Sequence, residues 1–426
     1  MNDMLYWIWL SRCCTPDTAT FPKLIAAFDG AKAIYDATLK EISEVIGYRA
    51  SDRSLLDNKD LTEAESILDY CTRMGIGLLP YCDERYPATL RDIPTPPVLL
   101  YYRGVLPDFD RTLRIAGVGT RSLTDYGRKN AFTICYDLAT AGATIVSGMA
   151  IGIDGVALAG ALAAGKPTIA VLGSGIDICY PKQHLTLARE IVKAGCIITE
   201  FPPHTPPNKY NFPKRNRIIS GLSAATIVFE GREKSGAIIT ARYAREQKRD
   251  VYVLPGNVGN ANSEASTVLL RTGARACTSA DDVISDFEKV YVGALNPHLL
   301  SQKCPVDLME TLRRYQVAAL CQGDEVFIPA RPRRRSMREV NEGELREIPE
   351  LPTADAQPRE TATPPEAFDK NALRLYKKIP PVGDCTVDSL VDDDTPMRDV
   401  MRLLLKLEMG HFITRLPGER VSRKTK

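Results

Sequence analysis

The 426-residue sequence is poor in the residues that usually announce a site. Its eleven cysteines are scattered, with one adjacent pair, Cys13-Cys14, and no CxxC. That spacing argues against a disulfide framework or a zinc site and predicts reduced thiols acting as small core residues. The four histidines (His184, His204, His298 and His411) lie far from any cysteine pair, so neither a metal nor another cofactor is expected. No apolar run approaches the length of a membrane-crossing helix. The opening stretch MNDMLYWIWLSRCC carries an acidic residue and no basic leader, which does not fit a signal peptide. A cytoplasmic protein with no membrane partner is expected. Charge of one sign is also lacking: the formal net charge is +2, so any affinity for a polyanion must come from a local basic concentration.

What is present is length and pattern. With 44% hydrophobic and 25% charged residues, the chain can build more than one core. Residues 1–75 show apolar positions at helical spacing in FPKLIAAF, AIYDATLKEISEVI and LTEAESILDYCTRMGI, broken at Pro16, Pro22, Gly30 and Gly47. They predict a small helical module. Residues 76–110 are proline-rich and end in a β-type run over 97–102, an extended connection plus a first strand. Over 111–288 the runs LRIAGV, ATIVS, TIAVL, CIITE, TIVFE and DVYVL alternate with helical stretches. Short apolar strands alternating with helices predict an α/β fold, a Rossmann-like doubly wound and mostly parallel sheet. Residues 289–366 are rich in Pro, Glu, Arg and Thr and read as a largely disordered linker. Residues 367–426 regain a core pattern of helix, helix, helix and hairpin about Pro417-Gly418, the order of a winged-helix-like domain.

Parallel sheets bind ligands at the carboxyl ends of their strands, and these ends carry glycines. The first strand runs into Gly117-Val118-Gly119-Thr120-Arg121, with a helix expected near Thr124-Asp125. Glycines allow close backbone approach, the helix N-terminus offers free N–H groups, and Arg121 adds a charge that suits a phosphate. The second strand ends in Ser147-Gly148-Met149, followed by Gly152 and by Asp154 as the expected helix cap; the third ends in Gly173-Ser174-Gly175. Three such loops on one edge predict an anion-binding rim. The next connection, 209–217, interleaves Lys209, Lys214, Arg215, Asn216 and Arg217 with Tyr210 and Phe212. Cations that hold a backbone beside rings that stack bases are what a single-strand groove needs. Basic residues at a helix start oppose its dipole, which asks for an anion nearby. Lys234-Ser235-Gly236 then opens another helix, and over 209–249 ten basic residues face three acidic ones, a local excess of seven.

Taken together, VGTR (118–121), SGMA and GID (147–154), TIAVLGSGID (168–177), YP (180–181), TEFPP (199–203), FPKRNRIISGLS (212–223), KSGAIITA (234–241) and PG (255–256) resemble the bacterial DprA (Smf) family of DNA-processing proteins. They span the central region in the family's order; the helical module resembles the family's sterile-alpha-motif-like start and the tail its winged helix. The resemblance implies a homodimer without catalysis that binds single-stranded DNA and loads the RecA recombinase during natural transformation. It implies DNA contacts at Arg121, Ser147, Gly148, Lys214, Arg215, Asn216, Arg217, Lys234, Ser235 and Gly236, with Phe212 stacking on a base. The chain departs from the pattern at Ile151 and Ala159, where the family usually has Arg, at Leu158, where it has His, and at Ala265 and Thr267, where it has Gly and Asn.

Two enzyme classes compete. A nucleotide phosphoribohydrolase could use Glu200, Glu230 or Asp177 as general base beside the phosphate loops, but that group's PGGxGT loop with its following glutamate is absent. A dinucleotide oxidoreductase would need the full G-x-G-x-x-G, which the first loop lacks. The basic run 331–335 could tether DNA, although charge runs in linkers are commonly just solvated.

Overall fold

The computed structural model describes residues 3–16, 18–48, 50–301, 304–318, 320–321, 370–379, 384–386, 390, 397–409, 412–416 and 420–423. They fall into two compact units, 1–348 and 349–426.

The first unit is organised by a nine-stranded sheet. Its strands are β1 (Gly77–Pro80), β2 (Leu99–Gly104), β3 (Arg114–Val118), β5 (Thr144–Ser147), β6 (Thr168–Val171), β7 (Cys196–Thr199), β8 (Ala225–Val228), β9 (Asp250–Val253) and β10 (Arg275–Ala276); β4 (Ser122–Leu123) lies outside it. The order is β1-β2-β7-β6-β5-β3-β8-β9-β10, antiparallel for β1, β2 and β7 and parallel from β7 onward. The α/β, doubly wound fold read from the alternating runs is therefore present. β3, β5, β6, β7 and β8 are buried throughout, as expected of a parallel sheet covered on both faces. Chain order reverses between β3 and β8, which makes the space above their carboxyl ends the switch point of the sheet.

The helical module forms six short helices between Met4–Cys13 and Thr62–Arg73. The run AIYDATLKEISEVI is two helices rather than one. Thr38 starts the second with a capping box, its hydroxyl accepting from the Glu41 N–H while Glu41 reaches back to the Thr38 N–H. The helix Met4–Cys13 buries seven of its ten residues, and the module shares one hydrophobic core with a face of the sheet. A helix apolar all round is expected at such a depth. Of the nine cysteines whose burial is described, six are buried. No described helix is long and apolar enough to cross a membrane.

One boundary needs correction. The stretch expected to be linker from 289 onward instead continues the first unit. It forms the helix Leu308–Arg314 and then β11 (Leu320–Cys321), which pairs in parallel with β4. Asp307 caps that helix by accepting from the Glu310 N–H at 2.8 Å, and Leu312 and Tyr315 join the core. The basic run 331–335 lies outside the described residues.

The second unit has helices Lys370–Lys378 and Met397–Met409 and a three-stranded antiparallel sheet of β12 (Asp384–Thr386), β13 (Ile413–Leu416) and β14 (Arg420–Arg423), in the order β12-β14-β13, around its own core. Of the segment 386–394, Thr386 ends β12 and Leu390 is helical; the rest of that segment and the Pro417-Gly418 turn lie outside the described residues.

Candidate nucleic-acid interface

Above the carboxyl ends of β3, β5, β6, β7 and β8 lies a groove of about 580 Å³. Pockets of ~300–1,000 Å³ accept ligands of nucleotide size. Each wall comes from one strand exit: Gly119, Thr120 and Arg121 after β3, Ala150 and Asp154 after β5, Tyr180 after β6, Lys209, Phe212, Arg215 and Asn216 after β7, and Ser235, Gly236, Ile239 and Thr240 after β8.

Rings and cations meet at its mouth. The exposed Arg121 guanidinium lies 5.8 Å from the Phe212 ring centre, and Phe212 faces Tyr180 at 5.5 Å with a 33° tilt. Lys209 is exposed on the same rim, 5.0 Å from the Tyr210 ring centre. Ser235 is the N-cap of the helix Gly236–Glu246, yet its side chain makes no capping bond and its oxygen has no partner among the described residues. A helix start with free N–H groups beside an unengaged hydroxyl suits an anion.

Arg215 forms the floor. It is 4% exposed, donates to the Gly148 carbonyl at 2.8 Å and also to the Val171 carbonyl, and approaches Asp154. Burial holds its acidity constant down at about 10, the Asp154 charge opposing that fall and the Arg121 charge adding to it. It therefore remains a cation at neutral pH. Burial pushes the Asp154 carboxyl up, against the pull of Arg215 and of the Ala150 and Gly119 N–H groups. Asp154 thus ties two strand-exit loops together, and Gly152, not Asp154, occupies the cap of the helix Ile153–Ala163.

Of the residues singled out from sequence, Gly119, Thr120, Arg121, Phe212, Arg215, Asn216, Ser235 and Gly236 line the groove; Ser147, Gly148, Met149, Gly173, Gly175, Lys214, Arg217 and Lys234 do not. Ser147, Gly148, Gly173 and Arg217 have structural tasks. Ser147 is buried and donates to the Gly117 carbonyl at 2.6 Å, cross-linking β5 to β3. A Cβ on Gly148 would meet Arg215 Nη2 at 2.5 Å and Asp154 Oδ2 at 2.6 Å, so this glycine makes room for the buried pair rather than for a ligand. A Cβ on Gly173 would lie 2.7 Å from the Phe212 ring, which rests against that backbone. Met149 is buried with φ +54°, and Lys234 is exposed beyond the rim.

Arg217 is the largest correction. It is 2% exposed and bound to Glu200 at 2.6 Å, beside Thr95–Leu99 and the first helix of the module, away from the groove. The dipole argument asked for an anion near the helix Asn211–Leu222; for Arg217 that anion is the protein's own Glu200, and for Arg215 it is backbone carbonyls and Asp154. The basic excess of seven overstates the free charge for the same reason. Arg242 pairs with Glu246 and Arg249 donates to the Thr89 carbonyl.

The three carboxylates considered for catalysis are engaged structurally and none lines the groove. Glu230 accepts from the Thr124 N–H at 2.9 Å and from its hydroxyl. Asp177 binds the His204 N–H at 2.9 Å and the His204 ring at 2.8 Å, and Glu200 holds Arg217. Sequence reasoning missed Tyr180 as a lining residue, although its YP dipeptide was visible. It also missed Ile239 and Thr240, which helical spacing from Gly236 could have found.

Residues 77–288 match the family model described as DNA recombination-mediator protein A. The DNA processing protein DprA of Bacillus subtilis (strain 168) is 38% identical over 223 residues, 52% of this chain and 75% of that protein. The chain belongs to this family. A Synechocystis protein named Smf is 29% identical over 428 residues, 99% of each chain, so the likeness to DprA/Smf proteins continues through both flanks. The crystal structure of DprA from Streptococcus pneumoniae superposes with a TM-score of 0.59 at 31% identity, covering 68% of this chain and 99% of that one. Membership assigns the chain a role in DNA processing as a recombination mediator. The DprA/Smf motifs form the strand exits and the layer beneath them, and the groove sits where they converge.

Proposed function

We propose that this protein is a non-enzymatic mediator that grips single-stranded DNA in the groove above the β3/β8 switch point and delivers the strand to the RecA recombinase. One observation carries the single-strand choice: the Arg121 guanidinium lies over the ring of Phe212, which itself faces Tyr180, at the mouth of the groove. Unstacked bases offer π-faces to such rings, whereas a duplex keeps its bases stacked inside. Arg121, Lys209 and the open helix start at Ser235-Gly236 take the phosphates, over a floor that Arg215 makes positive. Asp154, the groove's carboxylate among the described residues, is already held by backbone N–H groups and Arg215, which supports binding without catalysis. Action as a homodimer, in the cytoplasm and during natural transformation, follows from the family resemblance.

The test is fluorescence anisotropy of a labelled single strand at two salt concentrations with unlabelled duplex as competitor. Binding that weakens with salt, resists duplex and is at least about fivefold weaker in Arg121→Ala and Phe212→Ala supports the proposal. No binding at low salt sinks it, and nucleoside monophosphates would then be screened for hydrolysis. RecA loading is read separately, from strand exchange on strands pre-coated with single-strand-binding protein.

A further inference from the structure

Behind the groove, the segment 307–321 is bonded to both of the loops that form its first two walls. β11 pairs with β4, immediately after Arg121. The Ala318 carbonyl accepts from the Gly152 N–H at 3.0 Å. The Ala318 N–H donates to His184 Nε2 at 2.9 Å, and His184 Nδ1 lies 2.9 Å from the Met149 carbonyl. An amide N–H can only donate, so Nε2 is the acceptor. The proton must therefore sit on Nδ1, which donates to Met149. His184 is fully buried, and one neutral tautomer satisfies both ends.

These bonds add to those the turn makes within itself, where the Gly155 N–H donates to the Ala150 carbonyl at 3.2 Å, and they engage the Met149 carbonyl and the Gly152 N–H from outside. Met149 has φ +54° and Gly152 has φ +92°, two left-handed residues within four positions. A non-glycine residue keeps such a conformation only when its surroundings over-determine it. Between them, Ala150 lines the groove; Ile153 donates to the Thr120 carbonyl at 3.2 Å, and Thr120 lines the groove in turn. Strap, turn and first loop are thus laid side by side, and the outer ply is the strap.

We infer that the described residues 307–318 and 320–321 form an intramolecular strap that fixes the Thr120–Arg121 and Ala150 walls of the groove, with His184 as its positioning residue. The inference rests on the single-strand function proposed above. Neither His184 nor Ala318 lines the groove, so any effect on binding passes through the two walls.

The full-length variants Ala318→Pro, which deletes one N–H, His184→Leu, which deletes both bonds, and His184→Gln, which can keep an acceptor for Ala318, are compared with the unaltered chain. Hydrogen exchange reads peptides spanning 149–153, and anisotropy reads a fluorescent oligothymidylate across a salt series. In Ala318→Pro and His184→Leu, exchange should be about tenfold faster, the loss of one to two hydrogen bonds. Affinity should fall about three- to tenfold, with a salt slope shallower by about 0.7, one lost phosphate contact. His184→Gln should fall between these variants and the unaltered chain. A general loss of stability would lower the active fraction without changing the slope. Unchanged exchange and slope in Ala318→Pro overturn the inference, even if His184→Leu fails to fold. If the unaltered chain does not bind the oligonucleotide, the single-strand function fails, and exchange alone decides the strap: faster exchange sustains it and unchanged exchange overturns it.

Discussion

At the residue scale, the groove separates two kinds of contact that respond differently to salt. Phe212 offers a ring, and base–aromatic stacking contributes roughly 1–3 kcal/mol per base. Phe212→Ala is therefore expected to weaken single-strand binding by about 5- to 150-fold while leaving the salt slope unchanged. Arg121 offers a charge as well as a face. Arg121→Ala should lose affinity and also lower the slope by about 0.7, the value of one phosphate on a single strand. Titrating both variants across salt checks both statements. Arg217 should behave in another way again. Because it is buried against Glu200, Arg217→Ala leaves a buried carboxylate without its cation, a change that costs about 3–5 kcal/mol of stability. Denaturant melts of Arg217→Ala and of Arg217→Met with Glu200→Gln should show a large loss in the first and recovery of much of it in the second. His184 adds a pH dependence. Burial depresses its acidity constant below the ordinary 6.5, so the unfolded chain binds a proton that the folded chain refuses. Its contribution is therefore fully present above pH 6.5 and is lost as pH falls towards the depressed folded value. Thermal melts from pH 7.5 down to pH 5 should show a steeper loss for the unaltered chain than for His184→Gln, which carries no titrating ring.

At the scale of single elements, the central strands were legible because each is a short run rich in β-branched residues and buried on both faces, which leaves no room for charged residues in them. The start of the helix Asp125–Thr140 was legible for a similar reason. Thr124 accepts from the Gly127 N–H at 3.1 Å, as a residue of its type before a helix should. Glu230 strengthens this cap from another strand exit, binding the Thr124 N–H and hydroxyl, and no local pattern foretold that. Thr124→Ala should cost about 0.5–2 kcal/mol in a denaturant melt. Glu230→Ala in the Thr124→Ala background should cost less than Glu230→Ala alone, since the two share their bonds. The helix Asn211–Leu222 shows where sequence reasoning stopped. Lys214, Arg215, Asn216 and Arg217 are consecutive, so they point to different sides of one helix, and the string does not say which side meets solvent. In the structure Arg215 reaches the groove floor while Arg217 reaches the opposite side of the sheet edge. The glycine loops misled in a comparable way. Gly148 and Gly173 are small so that Arg215 and the Phe212 ring can sit close, and a packing glycine looks the same as a phosphate-cradling one in the sequence.

At the scale of the whole molecule, the sheet order gathers five strand exits from 118 to 240 into one groove, which is why a family pattern spread over more than a hundred residues describes a single place. The chain's small net charge hides it, because the cations that matter are a local minority and several of their neighbours are neutralised internally. The strap was hidden differently. Four of its residues, Leu308, Leu312, Tyr315 and Val317, pack in or on the core, but the apolar stretch is only one short helix and turn long and runs directly into a polar tail, so the expected linker began some thirty residues too early. This makes the position of a truncation decisive. A chain ending after Cys321 keeps every described bond of the groove's walls, whereas one ending at 306 loses β11, the Gly152–Ala318 bond and the partner of His184 Nε2. The longer fragment is expected to bind a single strand within about twofold of the intact chain and with the same salt slope. The shorter one should bind about tenfold more weakly, with a shallower slope, because the groove's walls lose their outer bonds while the groove's own residues are all retained. Equal binding by the two fragments would mean that the groove's walls stand without the strap. Weakened binding by both would mean that residues beyond 321 hold DNA themselves, and the basic run 331–335 would be the first segment to neutralise.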